Sequence, residues 1–162
     1  MKLPSLIWRR PGGLEECPYF RLTKLDFGPF SIRAHEWNGD DDHRAYHDHP
    51  NWFITLVLKG GYTDESPDMR PEVIERLGEP GKVYDVLRAG SIRYRRADFA
   101  HKVINVKPGT VTLLIAGRPS RRWGFWIKGK LIKRDRYFIE QGHHGCTPDA
   151  APIRRRPDGS RL

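Results

Sequence analysis

Long apolar segments are missing from this sequence, and so is the supply of cysteines that a disulfide-rich protein needs. No apolar run reaches the roughly 18 residues of a membrane-spanning helix, and the first ten residues lack the small-residue cleavage site of a signal peptide. The two cysteines, Cys17 and Cys146, form no framework, which agrees with a reducing compartment. We therefore expect a cytoplasmic protein that makes no membrane contact.

Sequence repeats and long amphipathic helices are missing too, and short strand-like segments take their place. Runs of β-branched and aromatic residues alternate with turns that contain Gly or Pro. The predicted strands are residues 19–25, 30–37, 45–58, 82–87, 91–95, 100–106, 111–116, 123–127 and 130–132. The polar residues 62–80 predict either a long loop or, at 72–77, a short helical turn. This pattern predicts an all-β antiparallel sandwich or barrel.

Negative charge is in short supply, with 20 acidic residues against 29 lysines and arginines and a formal net charge of +9. The excess favours anionic partners such as phosphates, carboxylates or nucleic acid. Four of the arginines fall in residues 146–162, for which we predict a flexible basic tail. Nucleic-acid binding is not expected, because no helix-turn-helix, zinc finger or stacked-aromatic pattern accompanies the charge, although the charge alone does not exclude it.

Three histidines form the candidate site. His47 and His49 are separated by one residue in a predicted strand, so their side chains would point to the same face of a sheet. His101 lies in another predicted strand and could supply a third imidazole. Three imidazoles suit Fe, Mn, Ni, Cu or Zn and leave coordination positions open for water or substrate. The alternative is that these are polar residues on an open sheet face.

Two motifs around these histidines resemble those of the cupin superfamily. His47-x-His49 followed by Gly61 resembles the first cupin motif, although Asp41 stands where that motif begins with glycine. Gly90, His101 and Asn105 have the spacing of the second cupin motif and so resemble it.

The resemblance implies a single-domain cupin-like double-stranded β-helix, or jelly-roll barrel, over residues 1–145 with an N-terminal arm. It also implies one divalent transition metal held by His47, His49 and His101, with iron as the first choice and Mn, Ni or Zn as alternatives. A homodimer is a further implication.

One departure from the first motif limits the ligand set. The glutamate ligand of the family would fall at Ile54, or at Phe53 with the shorter gap, and neither side chain can bind a metal. A site of the oxalate-degrading kind is therefore not expected, and the three remaining histidines are similar in number to those of the cupin thiol dioxygenases. Asp48 should face away from the metal as a surface residue or a support.

Pocket candidates follow from alternation along the strands. If Ile54 faces the interior, so do Trp52, Leu56 and Leu58, and on the second motif Ile92 and Tyr94 face in while Arg93 and Arg95 face out. Tyr94 is the candidate acid or base; the alternative is a core tyrosine with a satisfied hydroxyl. The candidate substrate-binding residues are Trp52, Ile54, Arg118 and Trp123.

Two further groups of residues have more than one interpretation. Arg118, beside the aromatic run that starts at Trp123, could clamp an anion, or it could simply lie in a turn before a buried strand. His143, His144 and Cys146 resemble half of a zinc site with Cys17 as a partner, but no fourth ligand is evident.

These observations favour a metal-dependent enzyme, an oxygenase, isomerase or lyase, acting on a small anionic molecule. The alternative is a non-catalytic cupin that binds or sequesters a small ligand.

Overall fold

The structure is a computed structural model that describes residues 5–13, 18–41, 45–127 and 130–141, with side chains for residues 21–41, 45–127 and 130–140. The predicted tail at 146–162 lies outside the described residues, as do the members of the half zinc site, Cys17, His143, His144 and Cys146. Neither of the two described helices is long and apolar enough to cross a membrane.

Twelve β-strands and two short helices make up the described part of the chain. The strands are β1 Ser5–Gly13, β2 Pro18–Asp26, β3 Phe30–Trp37, β4 Tyr46–His47, β5 Phe53–Lys59, β6 Gly61–Asp68, β7 Gly81–Arg88, β8 Ile92–Arg95, β9 Lys102–Ile104, β10 Thr110–Gly117, β11 Gly124–Ile127 and β12 Lys130–Lys133. The helices are α1 Pro71–Leu77 and α2 Arg134–Gln141. The expected all-β class is confirmed.

Two segments differ from the sequence-based expectation. Strand β6 occupies residues for which we predicted a loop or a helical turn, and only α1 agrees with that prediction. We predicted a loop because the sequence of β6 is polar. Its Asp64 and Glu65 are nevertheless buried, since each is paired with a basic side chain. The continuous strand predicted for 45–58 is broken between β4 and β5. Pro50, within the break, has no amide N–H to give to a sheet.

The strands form three antiparallel sheets. A six-stranded sheet has the order β1-β2-β3-β10-β5-β8, and two three-stranded sheets have the orders β12-β11-β4 and β7-β6-β9. The register of the six-stranded sheet aligns Phe53, Thr55 and Val57 of β5 with inward-facing residues of β10. All three of these β5 residues are buried, which defines the inner face of this sheet.

A single bridge joins the two three-stranded sheets. The amide of His47 donates to the carbonyl of His101 over 2.8 Å, and the amide of His101 donates back to the carbonyl of His47 over 2.9 Å. The two small sheets therefore line up through this bridge as one interrupted second layer. We call the junction the seam, defined by the His47–His101 pair, and it carries two of the three candidate ligands.

Apolar side chains from both layers meet in the interior. One buried cluster joins the six-stranded sheet to β7-β6-β9 and comprises Trp37, Val57, Tyr62, Leu87 and Val103. A second buried cluster, Phe53, Leu114 and Ala116, lies on the six-stranded sheet alone. The two layers therefore pack face to face, as the barrel prediction requires.

Candidate metal centre

The three histidines converge in the structure. One ring nitrogen from each of His47, His49 and His101 lies within 4.8 Å of the others. The Nε2 atoms of His49 and His101 are 2.9 Å apart. Two imidazole nitrogens bound at about 2.0–2.1 Å to one metal, at roughly a right angle, would be separated by about this distance. The donor set and its spacing therefore fit a transition-metal ion.

The histidines are fixed by the backbone on which they lie. His47 ends β4, His101 sits opposite it across the seam, and His49 follows in an extended segment whose amide donates to the carbonyl of Ala97 over 2.9 Å. His47 and His101 are buried, and His49 is half-buried. One side of the cluster is thus closed by protein while His49 lies nearer to solvent.

Asp48, between the two histidines, faces away from them and anchors the turn. It is fully buried, its Oδ1 accepts from the amide of Gly124 over 2.9 Å, and its Oδ2 pairs with the guanidinium of Arg121 at 2.8 Å. The same guanidinium donates to the carbonyls of His49 and Ala97 over 3.1 Å each. Asp48 and Arg121 therefore hold the backbone that carries His49, and Asp48 acts as a support.

A chain of charged side chains runs outward from His101. Its Nδ1 lies 2.8 Å from Oδ1 of Asp64, whose Oδ2 accepts from Arg95 over 2.9 Å. Arg95 reaches Asp85 at 2.6 Å, and Asp85 also receives Arg93 at 2.7 Å. With Nδ1 directed to a carboxylate, His101 presents Nε2 to the other histidines, which is the arrangement typical of metal-bound histidines.

This chain changes the charge behaviour of its members. Burial lowers the pKa of His101, but the charge and hydrogen bond of Asp64 outweigh burial and raise the pKa above its usual value. Burial raises the pKa of Asp64, yet His101 and Arg95 outweigh it and the net shift is downward. The Arg93 hydrogen bond lowers the pKa of Asp85 to about 2, with Arg95 adding to it against a smaller burial effect. Asp64 and Asp85 therefore stay ionised at neutral pH.

Aromatic rings enclose the cluster. Between ring centroids, Phe53 lies 4.6 Å from His49, Phe99 lies 5.3 Å from His101, and Phe125 and Trp123 lie 6.0 and 6.3 Å from His47. Phe53 faces inward and matches the shorter of the two gaps at which the family's glutamate would fall. An apolar ring thus stands where a fourth protein ligand would come.

The facing expected for Ile54 and Tyr94 is wrong. Phe53, Arg93 and Arg95 face the interior side, while Trp52, Ile92 and Tyr94 are exposed and Ile54 pairs with Tyr94 on the outer face. Alternation continued from His47 and His49 places Phe53 inside, and the expectation failed because it took Ile54, at the longer of the two motif gaps, as the interior residue. Tyr94, Trp52 and Ile54 are therefore not brought to the histidines.

The other two predicted substrate-binding residues differ in position. Trp123 is half-buried and lies beside His47, so it is brought to the cluster. Arg118 is exposed on the segment after β10. Arg121, three residues later, instead pairs with Asp48. This contact supports the structural alternative given above, in which the arginines lie in a turn before a buried strand.

Sequence reasoning missed four interior residues: Asp64, Arg95, Arg33 and His35. The register aligns Arg33 and His35 of β3 with the buried Leu114 and Thr112 of β10, so both lie on the inner face. Alternation along β3 could have placed them together. Burial and the neighbouring Arg33 lower the pKa of His35 to about 3, so this imidazole is neutral at physiological pH.

Antiparallel sheets in two layers, with three histidines converging between them, bear out the cupin-like expectation. No protein-family model matches the sequence, and a search of curated proteins found no match. Similar solved structures include a cupin domain from Bordetella pertussis Tohama I, at 18% identity and a TM-score of 0.42, covering 67% of this chain and 96% of that one.

Two further similar structures are enzymes by name. Oxalate oxidase with the substrate analogue glycolate is 15% identical with a TM-score of 0.49, covering 72% of this chain and 59% of that one. Fe(II)-HppE with an alternative substrate is 13% identical with a TM-score of 0.45, covering 71% of this chain and 56% of that one. The chain spans less than two thirds of both, and at these values the likeness assigns no activity.

Proposed function

We propose that this protein is a metal-dependent cupin enzyme, an oxygenase, isomerase or lyase, that acts on a small anionic molecule. The observation that carries the proposal is the convergence of His47, His49 and His101, with donor nitrogens within 4.8 Å of one another. Its support is the orientation of His101 by a buried carboxylate, since a ring held only for packing has no need of a charged partner on the far nitrogen.

Each group has a role in this proposal. The three imidazoles would hold one divalent transition metal, with iron as the first choice and Mn, Ni or Zn as alternatives. A bound metal would supply Lewis-acid polarisation of a substrate oxygen or activation of a bound small molecule. Asp64 keeps the proton of His101 on Nδ1, and the rings of Phe53 and Phe99 limit access of water to the imidazoles.

Arg33 supports an anionic substrate. Its Nε donates to Ser31 over 3.0 Å, its Nη2 lies 3.5 Å from Oδ1 of Asn51, and no carboxylate of the described residues forms an ion pair with it. Burial lowers the pKa of Arg33, and the negative charge of Asp26, which forms no ion pair with it, opposes this shift only in part. Because an interior guanidinium without a paired carboxylate is costly, we infer that an anionic group of the substrate completes it. Through Asn51, two residues after His49, the guanidinium of Arg33 approaches the segment that carries this candidate ligand.

The alternative function is a non-catalytic barrel that binds or sequesters a small ligand. Phe53 at the position of the missing acidic ligand favours it, because the described site then has no carboxylate that binds the metal directly. Tyr94, our candidate acid or base, also faces the outside.

The deciding experiment is elemental analysis of the purified protein after reconstitution with Fe, Mn, Ni or Zn, comparing wild type with His49→Ala. We expect about one equivalent of metal in the wild type and its loss in the variant. His35→Gln is the matched control, because it removes another interior imidazole from outside the cluster and should retain the metal.

Either of two results would reject the metal site. A wild type that binds no metal under any condition would favour the ligand-binding alternative. Full metal content in His49→Ala would show that the metal lies elsewhere. Circular dichroism of each variant checks that the fold is intact.

A further inference from the structure

We propose that the outer face of the second layer binds single-stranded nucleic acid without sequence preference. This face is the side of the two three-stranded sheets opposite to the candidate ligands His47 and His101, and the proposal is independent of the metal site. Proteins bind single strands with aromatic side chains on which the bases stack and with basic side chains that follow the phosphates. The face carries both kinds of side chain.

The strand register determines which side chains lie on this face. His47 and His101 point to the interior, so their neighbours Tyr46 and Lys102 point outward. The ammonium of Lys102 lies 5.4 Å from the ring centroid of Tyr46, so the two side chains meet across the seam. Cross-strand pairing extends them into one row over six strands, which we call the outer row: Leu131, Trp126, Tyr46, Lys102, Glu65 and Tyr84.

Aromatic rings are spaced along the outer row. Trp126 is 37% exposed and Tyr84 is 54% exposed, and the half-buried Tyr46 lies between them. Trp126 and Tyr84 are four strand intervals apart, which corresponds to roughly 19 Å for strands that are about 4.8 Å apart. A short single strand that crosses the sheet would therefore meet an exposed ring near each end of the row.

The carboxylate in the outer row does not repel an anion, because it is buried and already bound. The hydroxyl of Tyr46 donates to Oε1 of Glu65 over 2.7 Å, and the ammonium groups of Lys102 and Lys82 lie 3.0 and 3.5 Å from the same oxygen. Two lysines on one carboxylate leave one positive charge in excess. The centre of the row is thus positive as well as aromatic.

Further basic side chains extend the positive charge beyond the outer row. The register places Lys133 and Arg88 on the same face, and both are exposed. Among the strand residues that the structure describes on this face, four basic side chains therefore stand against Glu65 alone. Asp40 and Lys107, exposed in the loops beside β9, have opposite charges. The face has the sign of the whole chain, which carries +9, and is complementary to an anion.

The combination of rings and charges favours nucleic acid over other anions. A partner that carries only charge would use the lysines and leave Trp126 and Tyr84 in water, whereas a single strand offers bases to the rings and phosphates to the lysines. We expected no nucleic-acid binding from the sequence because it contains no stacked-aromatic pattern. The rings come from three separate strands, β11, β4 and β7, so the pattern exists only in the folded sheets.

The test measures binding of the full chain to fluorescein-labelled oligothymidylate and oligouridylate of about 15 nucleotides, and to a DNA duplex of the same length, by fluorescence anisotropy. We expect both single strands to bind, and the duplex to bind about tenfold more weakly because its bases cannot reach the rings. Trp126→Ala and Tyr84→Ala should each weaken single-strand binding by roughly tenfold. Trp52→Ala and Tyr94→Ala are the matched controls, since these rings are 40% and 57% exposed on the other layer, and both should bind as the wild type does.

The salt dependence tests the role of the basic side chains. Lys133→Gln should reduce the slope of log affinity against log salt concentration by roughly 0.7, the value for one phosphate contact on a single strand. An unchanged slope would remove Lys133 from the surface that binds the phosphates and contradict the proposed path of the strand.

Four other results would overturn the proposal. These are no binding of either single strand at low salt, equal affinity for the duplex, unchanged affinity in both Trp126→Ala and Tyr84→Ala, and an equal loss in the two control variants. Competition by inorganic polyphosphate as effective as that by unlabelled oligothymidylate, at the same phosphate concentration, would likewise show that charge alone is recognised. If Trp126→Ala failed to fold by circular dichroism, Tyr84→Ala on the edge strand β7 would decide.

Discussion

Asp64 decides how the ring of His101 is held, because its carboxylate fixes both the proton on Nδ1 and the rotation of the imidazole. Asp64→Asn keeps the shape and can keep a hydrogen bond, but it removes the charge that faces His101 and Arg95. We expect metal affinity to fall by roughly 10–100-fold, measured by competition with a chelator of known affinity.

The control for Asp64→Asn is a change at Asp85, the next carboxylate along the chain of charged side chains that starts at His101. Asp85→Asn leaves Asp64 in contact with His101 and interrupts only the pairing of Arg95 and Arg93. We expect a smaller loss of affinity. An equal loss in the two variants would mean that general destabilisation, and not orientation of His101, is being measured.

Two arginines are candidates for binding the anion: Arg118, predicted from the sequence, and Arg33, inferred from the structure. Arg33→Met should weaken binding of malonate or inorganic phosphate by roughly 10–100-fold, because a hydrogen bond to a charged group contributes about 1.5–3 kcal/mol. Arg118→Met should have little effect, since Arg118 is exposed. Isothermal titration of both variants measures the difference, and a loss confined to Arg118→Met would restore the sequence-based choice.

Sequence patterns identified the residues that belong to a short motif. His47 and His49 are recognisable because one residue separates them, and His101 because of its spacing from Gly90 and Asn105. Asp64 gives no such signal, because its meaning depends on partners 31 and 37 residues away that only the folded sheets bring to it. Polar strands of this kind resemble loops until their partners are known.

Among the elements, the turn between β4 and β5 carries the most consequence for the site. It is held by Asp48, whose carboxylate is fully buried, and by Arg121, which caps two carbonyls. Asp48→Ala should lower the free energy of unfolding by about 3 kcal/mol, because it leaves the amide of Gly124 without its acceptor and the charge of Arg121 without its carboxylate.

Urea unfolding followed by circular dichroism measures this loss. Asp135→Ala is the control, because its ion pair with Arg134 is exposed and should contribute less than about 1 kcal/mol. A loss for Asp48→Ala no larger than that of the control would argue against the anchoring role.

The strands themselves were mostly predictable, but the face that we assigned to β5 was wrong. Period-two alternation and Gly or Pro turns marked β2, β3, β7, β8 and β10 closely. Phe53, Thr55 and Val57 continue the alternation that begins with His47 and His49, so the histidines themselves indicate which face of β5 is inside. The expectation followed the longer motif gap, which ends at Ile54, and therefore placed the wrong residue inside.

At the scale of the whole molecule, the architecture depends on contacts between distant parts of the chain. The all-β class follows from composition and turns, but the division of the second layer into two small sheets does not, because within the described residues their backbones pair only at the bridge between His47 and His101. No local pattern encodes a seam of that kind.

The seam also has a kinetic meaning. His49 and His101 are 52 residues apart in the chain, so their nitrogens approach only after a long loop has closed. Backbone bonds of the seam and any bound metal would then break together, since opening the bridge separates the ligands. The rate at which a bound metal dissociates would accordingly report how often the barrel opens at the seam.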